Sequence, residues 1–246
     1  MTAPVFVVED VRADGAGQYV LDGPEGRHAV SVKRLRPGEA VVLTDGAGRW
    51  AEGEVAAAEG KDRLIVDLRE VHEEPEAAPR ITVVQALPKG DRGEVAVETM
   101  TEVGVDAIVP WAASRCITQW KGERGLKALG KWRATAREAG KQSRRVRFPE
   151  VADAATTKQV GALLAKADFA AVLHESGDAP LAAVELPAEG EIVLVVGPEG
   201  GVSPEELALF EEAGARPYRL GPSVLRTSTA GTAAAALLLG RTGRWS

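Results

Sequence analysis

Residues Ile192–Gly201 read IVLVVGPEGG, and what this run contains and where it stops decide the class of fold. Ile192–Val196 is five apolar residues, four of them β-branched, with no polar alternation. That composition suits a strand buried on both faces in a parallel sheet. The strand stops at Gly197. Ser203, Pro204 and Glu206 then provide a side-chain acceptor at the N-cap, a residue of fixed φ in the first turn and a glutamate three after the cap, so a helix begins there. A strand, a glycine-rich turn and a capped helix form one βα unit of an open α/β sheet. Such sheets collect ligands at the carboxyl ends of their strands, and glycines at 197, 200 and 201 let a ligand come close to the backbone.

A second turn of this kind follows. Arg216–Leu220 reads as a short strand stopped by Gly221 and Pro222, and Ser223–Gly231 (SVLRTSTAG) leads into Thr232–Leu239, which is small and apolar on every side and needs a partner to cover it. Either turn alone could be plain punctuation between a strand and a helix; two in tandem favour a site. Neither matches the phosphate cradle GxxxxGK[ST] or the dinucleotide fingerprint GxGxxG, which argues against the usual nucleotide folds.

Composition narrows the function. A chain of 246 residues with 45% hydrophobic content can bury one large core or two modest ones. No stretch approaches the roughly 18 consecutive apolar residues of a membrane helix, and the N-terminal residues lack the pattern of a secretory signal, so the expected location is the cytoplasm. One cysteine, Cys116, excludes an internal disulfide, and His28, His72 and His174 are too scattered for a metal-ligand set, so no metal is expected. The formal charge of -6 argues against nonspecific coating of nucleic acid but leaves room for a local basic face.

Residues 1–72 carry short β segments at Val5–Val8, Ala40–Thr44, Trp50–Ala58 and Arg63–Leu68, split by turn signals such as Asp45-Gly46, and predict a small β barrel or meander. Between them, Gly26–Gly38 holds Arg27, Lys33, Arg34 and Arg36, a cluster that is either a phosphate contact or a solvated face; His28 is equally ambiguous. Val71–Pro79 is acidic and proline-bounded and reads as a linker, with residues 73–79 its core. The second domain, 80–246, alternates strands (Ile81–Leu87, Ala107–Trp111, Phe169–Leu173) with helices (Gly90–Gly104, with Val95, Val97, Met100 and Val103 as apolar members, and Thr157–Lys166), the pattern of a parallel sheet. Lys89 and Arg115 fall at strand ends. Arg124–Arg147 predicts a helix on which Arg133, Arg137, Lys141 and Arg145 recur every fourth residue along one face, with Arg144 beside them and Trp132 and Phe148 at its ends. This stripe favours RNA binding, with the two aromatics serving packing or base stacking.

The pieces QALPKGDRGE (Gln85–Glu94), TEVGVDAIVPWAASRC (Thr101–Cys116), REAGKQSRR (Arg137–Arg145), LHE (Leu173–Glu175), GPEGG (Gly197–Gly201) and LGPSVLRTSTA (Leu220–Ala230), in this order, resemble the ribosomal RNA small-subunit methyltransferase E family of the SPOUT superfamily. The resemblance implies an α/β protein with an N-terminal PUA-like β barrel for RNA and a C-terminal domain whose chain end forms a trefoil knot, an exception to the rule against threading. It also implies a homodimer, S-adenosylmethionine as cofactor, and methylation of N3 of one uridine in 16S ribosomal RNA or the small subunit. Carried over by position, the cofactor residues would be Leu173, His174 and Glu175; Gly197, Pro198, Glu199 and Gly200; and Leu220, Gly221, Val224, Leu225, Arg226, Thr227, Thr229 and Ala230. RNA contacts would come from Arg27, Lys33, Arg34, Arg36, Lys89, Arg133, Arg137, Lys141, Arg144 and Arg145. The chain departs from the family where Ser228 replaces an acidic residue and where Val5 replaces a basic one.

Methyl transfer to N3 is a displacement that needs alignment and loss of the N3 proton, and a cation near O2 or O4 would stabilise the developing anion. Arg115 and Arg226, both at strand-end loops, are the candidates for that catalytic role. His174, Glu175 and Glu199 are open as the base, with Glu199 better suited to holding its turn. Two other functions compete: a non-catalytic RNA-binding assembly factor, and a SPOUT methyltransferase acting on a ribose hydroxyl. Paired glycine turns speak against the first; residue chemistry does not separate N3 from a hydroxyl.

Overall fold

The computed structural model describes residues 3–11 and 17–245. The chain divides into two compact units, one running to Glu76 and also taking in Gly140–Phe148, the other comprising Ala77–Ala139 and Pro149 onward.

In the first unit, β1 (Val5–Val7), β2 (Gly17–Leu21), β3 (Ala40–Thr44), β4 (Arg49–Glu59) and β5 (Arg63–Glu73) form a sheet of order β1-β3-β4-β5-β2. β1 runs parallel to β3, and the other pairings are antiparallel. Val71 and His72, read from sequence as linker, belong to β5, because Ala51, Trp50 and Arg49 of β4 pair with Val71, His72 and Glu73. Helix α1 (Gly23–Arg27) passes directly into a π-helical turn at His28–Val32. Phe6, Leu43, Leu64 and Val66 are fully enclosed, and the His28 ring lies edge-on to Phe6 with centroids 6.0 Å apart, so His28 packs on the core.

The second unit holds β6 (Arg80–Ala86), α2 (Arg92–Val103), β7 (Ala107–Trp111), α3 (Gly122–Gln142), β8 (Glu150–Val151), α4 (Thr157–Leu164), β9 (Phe169–Leu173), β10 (Ala179–Pro180), β11 (Glu191–Val196), α5 (Pro204–Glu212), β12 (Arg216–Arg219) and α6 (Thr227–Arg241); α3 is continuous past Ala139. Its seven strands lie in the order β10-β12-β9-β11-β6-β7-β8, every pairing parallel. The IVLVV segment is the middle strand. Ile192–Val195 are completely buried, hydrogen-bonded to β9 on one side and β6 on the other. A strand covered on both faces has no use for polar alternation, which is why none appears in its sequence.

Helix α5 is capped as read. The Ser203 hydroxyl accepts from the Glu206 amide, and the Glu206 carboxylate accepts from the Ser203 amide. Helix α2 starts at Arg92 rather than Gly90, since Gly90 sits at φ +70°, outside the helical region. Val95, expected on its apolar face, is 42% exposed, whereas Ala96, Val97, Met100 and Thr101 are buried. Helix α3 stops at Gln142, five residues short of the expected Arg147. Arg144 takes φ +65°, the Ser143 hydroxyl donates to Gly140 O, and the Phe148 amide donates to Gly46 O, so the segment leaves the helix to pair with the first unit's own backbone. Arg145 therefore lies beyond the helical face it was expected to extend.

Helix α6 packs on α2, β6 and β11. Small residues permit the approach: a Cβ at Gly231 would lie 2.9 Å from Met100 Sδ. Beyond α6 the chain is fastened at several points. Arg241 donates to Leu181 O and Val184 O, Arg244 to Pro79 O, Gly104 O and the Asp106 carboxylate, and the Trp245 indole to Val103 O. Among the described residues no helix is long and apolar enough to cross a membrane.

Candidate active site

Parallel order places the carboxyl ends of β6, β9, β11 and β12 on one edge, and their loops surround a cleft of about 710 Å³. That volume lies in the range of small-molecule sites. The wall after β9 is Leu173, His174 and Glu175; the floor is Val196 and the Gly197–Gly201 turn; the far wall is Val224–Thr227 with Ala230. Leu220 and Gly221 line an adjoining pocket that shares Leu173–Glu175, Val224, Leu225 and Ala230. Thr229 does not line either one; it is exposed and its hydroxyl donates back to Arg226 O.

The floor is built by long-range hydrogen bonds. Thr227 Oγ1, at the start of α6, donates to Gly197 O at 2.7 Å and accepts from Gln85 Nε2 at 3.2 Å, so a buried chain of groups ties α6 and the end of β6 to the glycine turn. Glu199 Oε1 accepts from the Lys89 amide at 3.1 Å and couples the turn to the loop after β6. Glu206 does more than cap α5. Its Oε1 also accepts from the Ser114 amide at 2.7 Å and from the Thr157 hydroxyl at 3.0 Å, which fixes the loop carrying Arg115. Arg115 in turn donates from Nη1 to Gly200 O at 3.2 Å. The turn is close-packed, since a Cβ at Gly200 would lie 3.1 Å from Arg115 Cβ and one at Gly197 2.9 Å from Val202 Cγ2.

Arg92, Arg115 and Arg226 line the cleft, together with the carboxylates Glu175 and Glu199. The Glu205 carboxyl is held below the usual carboxylate range by the backbone amide at its own position, then by the Ser203 hydroxyl, with Arg115 adding to the effect. Burial pushes the Cys116 thiol up, so it stays protonated and unreactive beside the site. His174 Nδ1 is engaged by Ser176 Oγ at 2.7 Å. Among the described residues no three His, Cys, Asp or Glu side chains cluster as metal ligands.

The basic residues expected to meet RNA divide by environment. Arg27, Lys33, Arg34, Arg36 and Lys89 are exposed. Arg133 is held at Val151 O and the Asp153 carboxylate. Arg137 and Arg144 are exposed and Arg145 is half-buried. Lys141 is the correction: it is buried, with Nζ 2.8 Å from Glu25 Oε1, so its charge is neutralised inside the protein. Trp132 is likewise a core residue, 3% exposed and edge-on to Trp120, and presents no stacking face. Phe148 packs over Gly46 and Gly140. Sequence reading missed Arg92, although it stands inside the Gln85–Glu94 segment; nothing in local periodicity distinguishes an arginine that faces a cleft from one that faces solvent.

The chain thus pairs an all-parallel α/β unit that carries a strand-end cleft with a β-rich unit. Residues 75–239 match the model of an RNA methyltransferase domain, and residues 21–69 that of an RNA methyltransferase PUA domain. The chain belongs to the ribosomal RNA small subunit methyltransferase E family. It is 43% identical over 249 aligned residues to the ribosomal RNA small subunit methyltransferase E of Mycobacterium bovis, covering 100% of this chain and 94% of that protein. To the Bacillus subtilis protein of the same name it is 28% identical, covering 87% of each. A crystal structure of that enzyme from Neisseria gonorrhoeae bound to S-adenosyl methionine superposes with a TM-score of 0.85 at 28% identity, covering 98% of each chain.

Proposed function

We propose that the protein is an S-adenosylmethionine-dependent methyltransferase acting on N3 of one uridine in 16S ribosomal RNA. The carrying observation is the cleft itself, where three strand-end loops converge in a chain of this family. The residues fit the cofactor. Val224 is 80% and Leu225 40% exposed beside it, apolar surface that a flat adenine ring would cover, and Gly201 at φ +73° has open space where a side chain would stand. S-adenosylmethionine, when bound, supplies an electrophilic methyl group on a sulfonium sulfur.

The chain's own groups supply the rest. The backbone amides and carbonyls of Gly197–Gly201 and Leu173–Glu175 would hold the adenine edge, with Leu220, Val224 and Leu225 as apolar residues to flank the ring. As N3 gains a carbon it loses its proton, and negative charge spreads to O2 and O4. Arg226 answers that charge, since its side chain has no hydrogen-bond or ion-pair partner among the described residues. Arg115, bound to Gly200 O, steadies the turn as well as adding charge. His174, Glu175 and Glu199 all line the cleft as groups to take the proton, with Glu199 Oε1 and His174 Nδ1 already holding hydrogen bonds.

The finer architecture belongs to the same proposal. Bulges in the β4–β5 pairing, at Ala51/Gly53 and Val55/Ala57, curve the first sheet toward a PUA-like barrel, with Arg27, Lys33, Arg34 and Arg36 as its RNA contacts. The fastening of α6 and the residues after it to Leu181, Val184, Pro79 and Gly104 supports a trefoil knot. An apolar groove of Leu220, Pro222, Leu225, Ala233 and Leu237 supports a homodimer, and the place of action is the cytoplasm. A two-domain division near residues 73–79 completes the reading, with Gly140–Phe148 joining the first unit.

Calorimetric titration with S-adenosylmethionine tests the pocket. Saturable binding should weaken at least about tenfold in Val224→Asp, about 1.4 kcal/mol. Equal affinity in the variant, or none in the wild type, would remove the cofactor assignment.

A further inference from the structure

We infer that Arg92 is a catalytic residue of the methyl transfer, its guanidinium stabilising the negative charge that develops on the uracil oxygens as N3 loses its proton. The inference rests on the methyltransferase reading above. Arg92 lines the cleft with the glycine turn and Arg226 and is partly buried, yet among the described residues its side chain has no hydrogen-bond or ion-pair partner. Its position is electrostatically unfavourable by itself. Arg92 is the first residue of the twelve-residue helix α2, where the macrodipole favours anions and opposes a cation. A partly buried, unpaired cation held at a helix N-terminus is accounted for if a negative charge arrives during turnover.

Three neighbours of Arg92 in sequence are fastened while its own side chain is not. The Lys89 amide is held by Glu199, Glu94 pairs with Lys131 at 2.6 Å, and Gly93 presses on Trp132, where a Cβ would come 2.5 Å from Cζ2. Rigid neighbours fix the backbone from which Arg92 reaches the cleft, and its uncommitted guanidinium donors are available to the developing charge. Arg115 differs in having a donor already committed to Gly200 O. The cofactor's carboxylate is the other anion that could meet Arg92, and it predicts a different measurement.

The test uses the full chain with small ribosomal subunits lacking the modification, comparing wild type, Arg92→Ala and Arg92→Lys. Calorimetry gives the affinity for S-adenosylmethionine, single-turnover kinetics the transfer rate, and thermal melting checks folding. The expected result is cofactor affinity within about threefold of wild type, transfer slowed by about 100-fold in Arg92→Ala as for loss of one oxyanion donor, partial activity in Arg92→Lys, and partial rescue of Arg92→Ala by added guanidinium. A fall in cofactor affinity matching the fall in rate would overturn the inference in favour of the carboxylate, and a fully active Arg92→Ala would overturn it outright while the methyltransferase reading stood. Wild type inactive on both naked RNA and subunits would remove that reading, and this inference with it.

Discussion

Thr227 shows how much of the site depends on single side chains. Its hydroxyl is buried between Gly197 O and Gln85 Nε2, so Thr227→Val takes the side-chain donor from Gly197 O and leaves Gln85 Nε2 with Ala86 O alone. We expect a loss of about 1–3 kcal/mol in stability by chemical denaturation and weaker S-adenosylmethionine binding. Arg226 should behave differently. An exposed side chain with no partner costs little to remove, so Arg226→Ala should melt as wild type while transfer slows by about 100-fold; full activity would remove it from the mechanism. Cys116 is buried and its thiol is raised by that burial, so the folded protein should resist alkylation at pH 8 and react once unfolded in denaturant.

Among elements, α5 and α6 position the site. Glu206 was legible from sequence as a helix cap, since capping is a matter of three-residue spacing. Its other partners, Ser114 and Thr157, lie 92 and 49 residues away and left no local signal. Glu206→Ala should therefore cost more than the about 1 kcal/mol of a lost cap, on the order of 1–3 kcal/mol once the Ser114 amide and the Thr157 hydroxyl also lose their acceptor, and should loosen the Arg115 loop. The residues after α6 make a similar case. Arg244 and Asp106 form an ion pair with side chains 15% and 8% exposed. Removing one partner strands a buried charge, so Arg244→Ala should destabilise by about 3 kcal/mol in denaturant unfolding. The basic helix was read less well. Its four-residue recurrence is real, but periodicity reports which residues share a face and not what covers that face, so Lys141 was given to RNA when it belongs to the interior, and Trp132, open between packing and stacking, packs.

At the scale of the molecule, apolar runs and glycine turns made the parallel sheet and its ligand edge legible, with IVLVV correctly read as the central strand. Strand order was not legible, because β11 pairs with β6 and β9 through residues far apart in sequence. The cleft inherits that non-locality, and Arg92 entered it only once β6, β11 and α6 were assembled. The central claim is that this cleft delivers a methyl group to N3 of uridine in 16S ribosomal RNA. The most direct measurement is incubation with methyl-labelled S-adenosylmethionine and small subunits lacking the modification, followed by digestion to nucleosides. Label recovered in 3-methyluridine, and absent with Val224→Asp, is the predicted result; label on a ribose hydroxyl, or none with a protein that still binds RNA, would contradict it.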